Sequence, residues 1–329
     1  MKISQIALST FISFVLINTT TAQKKFEFKN SRALFEEAEK YAEDKYYDKA
    51  FETYMMVNYN DTAYFSSRFN AIYSANMNDK YDTVIEIANL LIADSRPNEF
   101  KEAFANSLVV AYNGKKEYEK AIEHADRALA KFPNSYLLHY NKALALIELN
   151  KIDLGVASLQ QSLTFNPRFS AGHAKLGKIC ADGGNFTKAA LCYNMAIYNA
   201  AGKDVSVLYI VALSEIYDGN ITGDKYKIKF REDEDFEDVD VLILNKVARN
   251  PKYKVKVELQ DNLFKTNHLI FNSLEYTTGS NGFWNQNYIR FFREIMLKNQ
   301  FANFCYLEVL ALNDAKIQSV ITKNKKKLI

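Results

Sequence analysis

Between residues 31 and 218, apolar side chains recur every three to four positions in segments of about a dozen residues. Such spacing places the apolar side chains on one face of a helix. Short polar stretches separate these segments, so the pattern predicts amphipathic helices joined by short loops. The chain has only 4 prolines and 11 glycines in 329 residues, fewer turn-forming residues than an all-β fold needs. The prediction is a mainly all-α fold.

The helical segments repeat with a period of 34 residues. Pro133 and Pro167 are one period apart, each at the end of an apolar stretch. The same step separates other small and aromatic residues, namely Ala121, Gly155 and Ala189; Ala125, Leu159 and Tyr193; Tyr118, Ile152 and Phe186; Tyr47 and Tyr81. Between Val84 and Ala121 the step is 37, and the three extra residues fall in the loop around Pro97. A period in this range is typical of stacked helical hairpins.

These residues resemble the tetratricopeptide repeat (TPR) family, which places small residues where two helices of a pair meet and aromatic residues at their junction. The best match is the segment 102–134, through Leu108, Tyr112, Tyr118, Ala121, Ala125, Ala128 and Pro133. The resemblance covers about residues 31 to 201. It implies an α-solenoid over residues 31–222, with five helix pairs and a terminal helix from Asp204 to Tyr217.

The first 22 residues have the features of a secretory signal peptide. Lys2 precedes an apolar run from Ile6 to Ile17, and small residues occupy positions 20–22. The apolar run is about 12 residues long, whereas a membrane-spanning helix needs roughly 20. We expect cleavage before Gln23, a short linker over residues 23–30, and export to the periplasm, the cell surface or the medium without a stable membrane span. An uncleaved membrane anchor is the alternative.

Residues 223–329 are predicted to form a second, mostly helical domain, because the period fails after residue 217. Two segments, 226–230 and 253–259, alternate apolar and charged residues as exposed strands or extended loops do. The prediction therefore includes one or two short strands. The acidic run 232–240 is interpreted as a solvated helix start, with cation binding as the alternative. The basic C-terminus is interpreted as a solvated helix end, with contact to an anionic lipid surface as the alternative.

The sequence lacks the motifs of known catalytic and metal centres. His-Glu-x-x-His, Gly-x-Ser-x-Gly, a phosphate loop and Cys-x-x-Cys do not occur, so we expect neither catalysis nor a cofactor or bound metal. The 42 basic and 39 acidic residues nearly balance, which gives no reason to expect a nucleic-acid partner. His139 and His173 occupy equivalent repeat positions and are expected to pack rather than bind metal. Cys180, Cys192 and Cys305 are expected to be buried, with a Cys180–Cys192 disulfide as the alternative.

Repeat arrays of this kind bind partners along the groove formed by the first helices of the pairs. The predicted groove residues are Phe35, Phe69, Tyr73, Asn106, Val110, Tyr140, Leu144 and Lys178. The middle of this set is aromatic and apolar, which suits an extended or helical peptide segment. The alternative is that these side chains pack inside the superhelix. Chaperone-binding TPR proteins clamp a C-terminal carboxylate with lysine and asparagine, a combination that no single pair has here.

The hypothesis is a non-catalytic protein–protein interaction scaffold of the bacterial cell envelope, with another envelope or exported protein as its partner. A surface or glycan-binding accessory protein is the first alternative, and it should expose Trp284 on a flat face. An enzyme with its site in the C-terminal third is the second, and it should gather polar groups near His268, Glu275 or Asn287.

Overall fold

The computed structural model describes residues 30–230, 236–274 and 281–328. The predicted signal peptide, most of the linker, Glu275 and residues 232–235 of the acidic run lie outside the described residues. The described part of the chain forms 16 α-helices and no β-strand, which confirms the mainly all-α prediction. The helices are α1 (Ser31–Glu43), α2 (Tyr47–Met55), α3 (Tyr64–Met77), α4 (Tyr81–Ala93), α5 (Lys101–Gly114), α6 (Tyr118–Leu129), α7 (Tyr136–Glu148), α8 (Ile152–Phe165), α9 (Ser170–Asp182), α10 (Phe186–Asn199), α11 (Asp204–Asp218), α12 (Glu237–Leu244), α13 (Asn262–Ser273), α14 (Arg290–Leu297), α15 (Phe301–Glu308) and α16 (Ala315–Leu328).

The chain divides into two compact units, residues 1–80 and 81–329. Four of the five predicted hairpins lie within one unit, α1–α2 in the first and α5–α6, α7–α8 and α9–α10 in the second. In the first unit α3 packs on α2, and the core is formed by Ala38, Ala50, Tyr54 and Ala71. The alanines on α1 and α2 are fully buried, as expected where two helices approach closely.

The turns within the hairpins repeat the same backbone geometry at the 34-residue period. A left-handed residue follows the first helix of each pair, at Lys45, Asp79, Lys116, Asn150 and Gly184, with φ between 56° and 76°. The next backbone N–H donates to the carbonyl five residues earlier, as in Tyr46 to Tyr41, Glu117 to Tyr112 and Asn185 to Cys180. This is the hydrogen bond of a Schellman helix end. Only one of the five positions is glycine, so the sequence does not reveal this motif through its usual residue.

The helices of the second unit pack through small residues at the repeat-equivalent positions. A Cβ atom added at Gly155 would lie 2.7 Å from Cγ1 of Ile147 and 3.4 Å from the carbonyl oxygen of Ala143. A Cβ atom added at Gly177 would lie 3.1 Å from Cβ of Cys192. Helix α8 therefore packs so closely on α7, and α9 on α10, that only glycine fits at the contact without displacing a neighbour. The repeat register and the helix pairing together define a TPR-like fold.

We expect Gly155→Leu to lower the free energy of unfolding by about 1–3 kcal/mol, because the added side chain overpacks the contact between α7 and α8. Chemical denaturation followed by circular dichroism measures this. Ala130→Leu introduces the same side chain at an exposed position and should leave stability within about 0.5 kcal/mol. Equal stability of the wild type and the Gly155 variant would show that α7 and α8 do not meet at this residue.

The C-terminal third packs on the last helices of the repeat array in the second unit. Every residue of α10 from Phe186 to Ile197 is buried, because α9 and α11 cover it together with α12 and α15. One hydrophobic core extends from Ala143 to Ile321. It includes side chains from both sides of the domain boundary predicted at residue 222. Whether residues 223–329 fold as a separate domain stays a prediction.

The two segments with alternating pattern form loops, so the prediction of one or two short strands was wrong for the described residues. Their backbone groups bond to other partners. The N–H groups of Lys225 and Tyr226 donate to the carbonyl oxygen of Asp182, at 2.9 and 3.2 Å. The Gln260 side-chain amide donates to the carbonyl oxygens of Val255 and Val257, at 2.7 and 2.6 Å. The alternation instead allows every second side chain to pack on the helical core.

Among the residues that the structure describes, no helix has both the length and the apolar character needed to cross a membrane.

Candidate functional site

One of the predicted groove residues of the first unit, Tyr73, lines a cleft of about 220 Å³. Tyr73 of α3 lines the cleft and leaves 53% of its surface exposed, whereas Tyr54 of α2 is 2% exposed and lies at its base. Phe35 is half-buried and packs edge-on against the Tyr54 ring, with 5.4 Å between the ring centroids. Phe69 is half-buried and does not line the cleft. The remaining lining residues are Glu39, Ala42, Glu43, Asn70 and Ser74.

The two carboxylates lie close enough to influence the Tyr54 hydroxyl. Burial, together with the negative charges of Glu39 and Glu43, raises the pKa of Tyr54 to about 12. A hydrogen bond with the Asn70 side chain opposes the rise. The cleft therefore combines a buried neutral phenol, an exposed phenol ring and two acidic groups.

In the second unit, the predicted groove residues of α5 and α7 are joined by a row of amide side chains. The Asn141 Nδ2 group donates to Oδ1 of Asn106 at 2.8 Å. The Asn113 Nδ2 group donates to the carbonyl oxygen of Asn141 at 2.9 Å. The Oδ1 atom of Asn113 is buried and accepts no hydrogen bond from any described group. Val110 lies beside this row and is half-buried.

Tyr140 and Leu144 continue the groove on α7, and both are half-buried. The Tyr140 ring meets the Phe169 ring edge-on, with 4.9 Å between the centroids. Burial raises the pKa of the Tyr140 hydroxyl, and Tyr209 on α11 adds to the rise. Helices α7 and α11, which occupy the first-helix position two repeats apart, therefore lie on the same face of this unit. Tyr140 takes part in packing as well as lining the surface.

Lys178 is exposed on α9, and its ammonium group forms an ion pair of 2.6 Å with Asp182, one turn along the same helix. The Asp182 carboxylate is buried and also pairs with Lys225. The lysine is thus partly neutralised by its own helix, and the structure offers no carboxylate clamp at this position.

The structure adds one groove residue that the sequence analysis missed. Leu208 of α11 is 67% exposed and follows Asn106, Tyr140 and Ala174 at steps of 34 residues. Val205 and Val211 lie on the same side of α11 and are 37% and 54% exposed. Continuing the 34-residue count into the terminal helix would have found Leu208. Helix α11 has no second helix of its own pair, which leaves this apolar stripe open.

The two repeat-equivalent histidines have packing roles. The Nε2–H group of His139 donates to the carbonyl oxygen of Pro133 at 2.9 Å, and that of His173 donates to Pro167 at 2.8 Å. The carbonyl can only accept, so Nδ1 of His173 accepts the hydroxyl proton of Tyr288 at 2.7 Å. Burial lowers the pKa of His173 to about 4. Within the described ranges, no group of three or more His, Cys, Asp or Glu side chains is placed to hold a metal ion.

The described residues named for the alternative functions, Trp284, His268 and Asn287, bond or pack within the protein. Trp284 is fully buried, with its ring stacked 5.1 Å from Tyr288, so it cannot stack on a sugar. His268 bonds the Tyr253 hydroxyl at 2.9 Å, and Asn287 donates to the carbonyl oxygen of Phe283 on its own helix. A cleft of about 260 Å³ does exist in the C-terminal third, but His268 and Asn287 do not line it. Its lining residues are Tyr198, Phe291, Glu294, Ile295, Lys298, Gln300, Asn303, Phe304 and Leu307.

The three cysteines are buried with free thiols. Burial raises the pKa of the Cys192 thiol well above its ordinary value, and the neighbouring Cys180 raises it further. Its sulfur lies 3.4 Å from the Tyr288 hydroxyl oxygen. These thiols behave as packing groups, and the alternative Cys180–Cys192 disulfide is not formed in this structure.

These features define a class of protein, a TPR-like helical repeat protein whose first-helix face is open. No protein-family model matches the sequence. No curated protein matches it either. Among solved structures, the chain is similar to one titled "MamA RS-1 ArsTM double mutant", with a TM-score of 0.40 and 13% identity over 51% of this chain and 93% of that chain. The TPR-like assignment rests on the 34-residue register and the helix pairing, not on this similarity.

Proposed function

We propose that this protein is a non-catalytic scaffold of the bacterial cell envelope that holds a segment of another exported protein against the first helices of its repeats. The open first-helix face is the observation that carries the proposal. Val110, Tyr140, Leu144 and Leu208 all keep apolar surface accessible on that face. Exposed apolar surface bordered by polar groups is typical of binding sites for other proteins.

The polar groups beside this surface suit a peptide backbone. The row of Asn106, Asn113 and Asn141 brings side-chain amides to this face. Asn106 and Asn113 are half-buried, so parts of their side chains remain accessible to a bound segment. A helical segment uses most of its N–H groups in its own hydrogen bonds, whereas an extended segment leaves them open to side-chain amides. We therefore favour an extended segment along α5 and α7.

The proposed location follows from the N-terminal 22 residues, which have the basic, apolar and small-residue parts of a signal peptide. Removal of this segment during export would place the repeats outside the cytoplasm. The partner would then be another envelope or exported protein.

We expect Leu208→Glu to reduce partner capture at least about tenfold, because a charge inside an apolar contact must lose its water without gaining a partner. The experiment is in-cell crosslinking followed by affinity purification from the native envelope and quantitative mass spectrometry. The purified protein should begin at Gln23. Leu90→Glu on α4 is the matched control, since Leu90 and Leu208 are both 67% exposed and only Leu208 lies at a groove position.

Equal capture by the wild type and both variants would contradict binding at the α11 end of the groove. Loss of helical circular dichroism in the Leu208 variant would instead show that this residue supports the fold. Tyr140 is less suitable for this test, because its ring packs on Phe169 and truncation would also disturb the core.

A further inference from the structure

We propose that the cleft of the first unit binds a lysine or arginine side chain of the partner segment. This inference rests on the proposed function and adds the chemistry of one contact. The cleft, defined by Glu39, Glu43, Tyr54, Asn70 and Tyr73, is open to solvent and has a volume of about 220 Å³. A cavity of that size admits one side chain and not a folded domain.

Three helices place the polar groups around the cleft. Glu39 and Glu43 are four residues apart on α1, so both carboxylates lie on the same face of that helix. Tyr54 on α2 forms the base. Asn70 and Tyr73 are three residues apart on α3 and form the opposite wall. A long side chain entering the cleft would pass over the Tyr73 ring and meet both carboxylates.

The charges in the cleft lack a counterion among the residues that the structure describes. Among the described residues, neither Glu39 nor Glu43 forms an ion pair, whereas Glu36 pairs with Arg32 and Asp48 pairs with Lys80 in the same unit. Like charges four residues apart on a helix destabilise it. A cationic side chain from outside would remove this repulsion and satisfy both acids.

The tyrosine rings favour an organic cation over a metal ion. Cations bind over the faces of aromatic rings at distances up to about 6 Å. This protein already uses such contacts internally. The Arg68 guanidinium lies 4.4 Å from the centre of the Tyr64 ring, and the Lys188 ammonium lies 4.5 Å from the centre of the Phe230 ring. Two carboxylates alone supply too few oxygen ligands for a calcium ion, and no metal-binding group is present in the described ranges.

The test uses the full chain and a fluorescein-labelled hexalysine peptide, with its fully Nε-acetylated form as the uncharged probe. Fluorescence anisotropy at low salt measures the dissociation constants. We expect the hexalysine probe to bind and the acetylated probe to bind at least tenfold more weakly, because exposed electrostatic attraction is strongest at low ionic strength. The double variant Glu39→Gln and Glu43→Gln should weaken hexalysine binding about fivefold.

Matched variants separate the cleft from general surface charge. The double variant Asp44→Asn and Glu52→Gln removes the same charge from exposed positions of α2 and its preceding turn that do not line the cleft, and it should change binding less than twofold. Tyr73→Ala should weaken binding about threefold while Tyr73→Phe retains it, because the ring face and not the hydroxyl contacts the cation. Equal weakening by the two charge-removing variants would overturn the inference, and so would unchanged binding after substitution of Glu39 and Glu43.

Failure of this inference can be distinguished from failure of the proposed scaffold function. If Leu208→Glu abolishes capture of the native partner and the Glu39 and Glu43 substitutions do not weaken it, the groove function stands and the cationic contact is rejected. If the substitutions in the cleft weaken capture of a partner whose bound segment contains lysine or arginine, and the Asp44 and Glu52 substitutions do not, the inference is supported.

Discussion

At pH 7 the variant Glu308→Gln is expected to be more stable than the wild type, by up to about 3 kcal/mol. Glu308 ends α15 and is fully buried. Its two carboxyl oxygens lie 3.0 and 3.1 Å from the Nδ2 atom of Asn267. No cation in the described structure forms an ion pair with it. Glutamine has the same shape and carries no charge, so it avoids the cost of burying an unpaired carboxylate.

Glu308 belongs to a buried polar network that joins four helices. Asn267 of α13 exchanges hydrogen bonds with Asn194 of α10, at 2.8 and 2.9 Å, and accepts the Tyr217 hydroxyl of α11 at 2.5 Å. Burial raises the pKa of Glu308 well above 4.5, and the Asn267 hydrogen bond only partly opposes this. Burial likewise raises the pKa of Tyr217 and of Cys305, and the charge of Glu308 raises both further.

The pH dependence has a definite sign. The folded state holds the Glu308 proton more tightly than the unfolded state, so its stabilising contribution is complete below pH 4.5 and is lost as the pH rises towards the folded-state pKa. The difference in unfolding free energy between Glu308→Gln and the wild type should therefore be smallest near pH 4 and grow up to neutral pH. Urea denaturation at several pH values measures it. Taking the difference removes the contribution of His173, whose lowered pKa acts on both proteins alike.

Glu294→Gln is the control, because Glu294 is exposed and paired with Lys298 at 2.7 Å, and that pairing lowers its pKa. The control should not gain stability at any pH. A Glu308→Gln variant that is less stable than the wild type at pH 7 would show that the carboxylate is ionised and compensated in the folded protein.

Replacement of Phe292 by alanine is expected to lower the unfolding free energy of the second unit by about 3–5 kcal/mol. The Phe292 side chain is fully buried on α14. Its ring stacks on Phe271 with 4.3 Å between centroids and meets Phe304 edge-on at 5.7 Å. Truncation leaves a cavity between three helices of the C-terminal third, at the centre of the core that also holds α10.

Two optical signals show how far the damage extends. Trp284 is the single tryptophan and is buried in the C-terminal third, whereas helical circular dichroism reports mainly on the repeats. If one core unites the last repeats with the C-terminal third, both signals should shift together to lower denaturant concentration. Leu297→Ala, at an exposed position of the same helix, should shift neither. A shift in tryptophan fluorescence alone would show that residues 223–329 fold as the separate domain predicted from the sequence.

The repeat architecture could be predicted from the sequence because its determinants are local. Apolar spacing sets which residues form helices, and small residues such as Ala121 and Gly155 mark where paired helices meet. The groove positions follow by counting 34 residues, a rule that reaches Leu208 as well as Tyr140. The left-handed turns at Lys45, Lys116 and Asn150 escape this reasoning, because residues other than glycine occupy the strained backbone position.

Other properties depend on residues far apart in the chain, and no local pattern encodes them. The alternation in 226–230 and 253–259 is compatible with a strand, yet only the position of Asp182 and Gln260 decides that the backbone bonds elsewhere. Tryptophan occurs both on protein surfaces and in cores. Trp284 is buried because Tyr288 and α10 pack around it. Glutamate is a surface residue by type, and Glu308 is buried only because helices from residues 186 to 308 close around it. Local periodicity therefore determined where the helices form and how they repeat. Packing between segments far apart in the chain decided which side chains are buried.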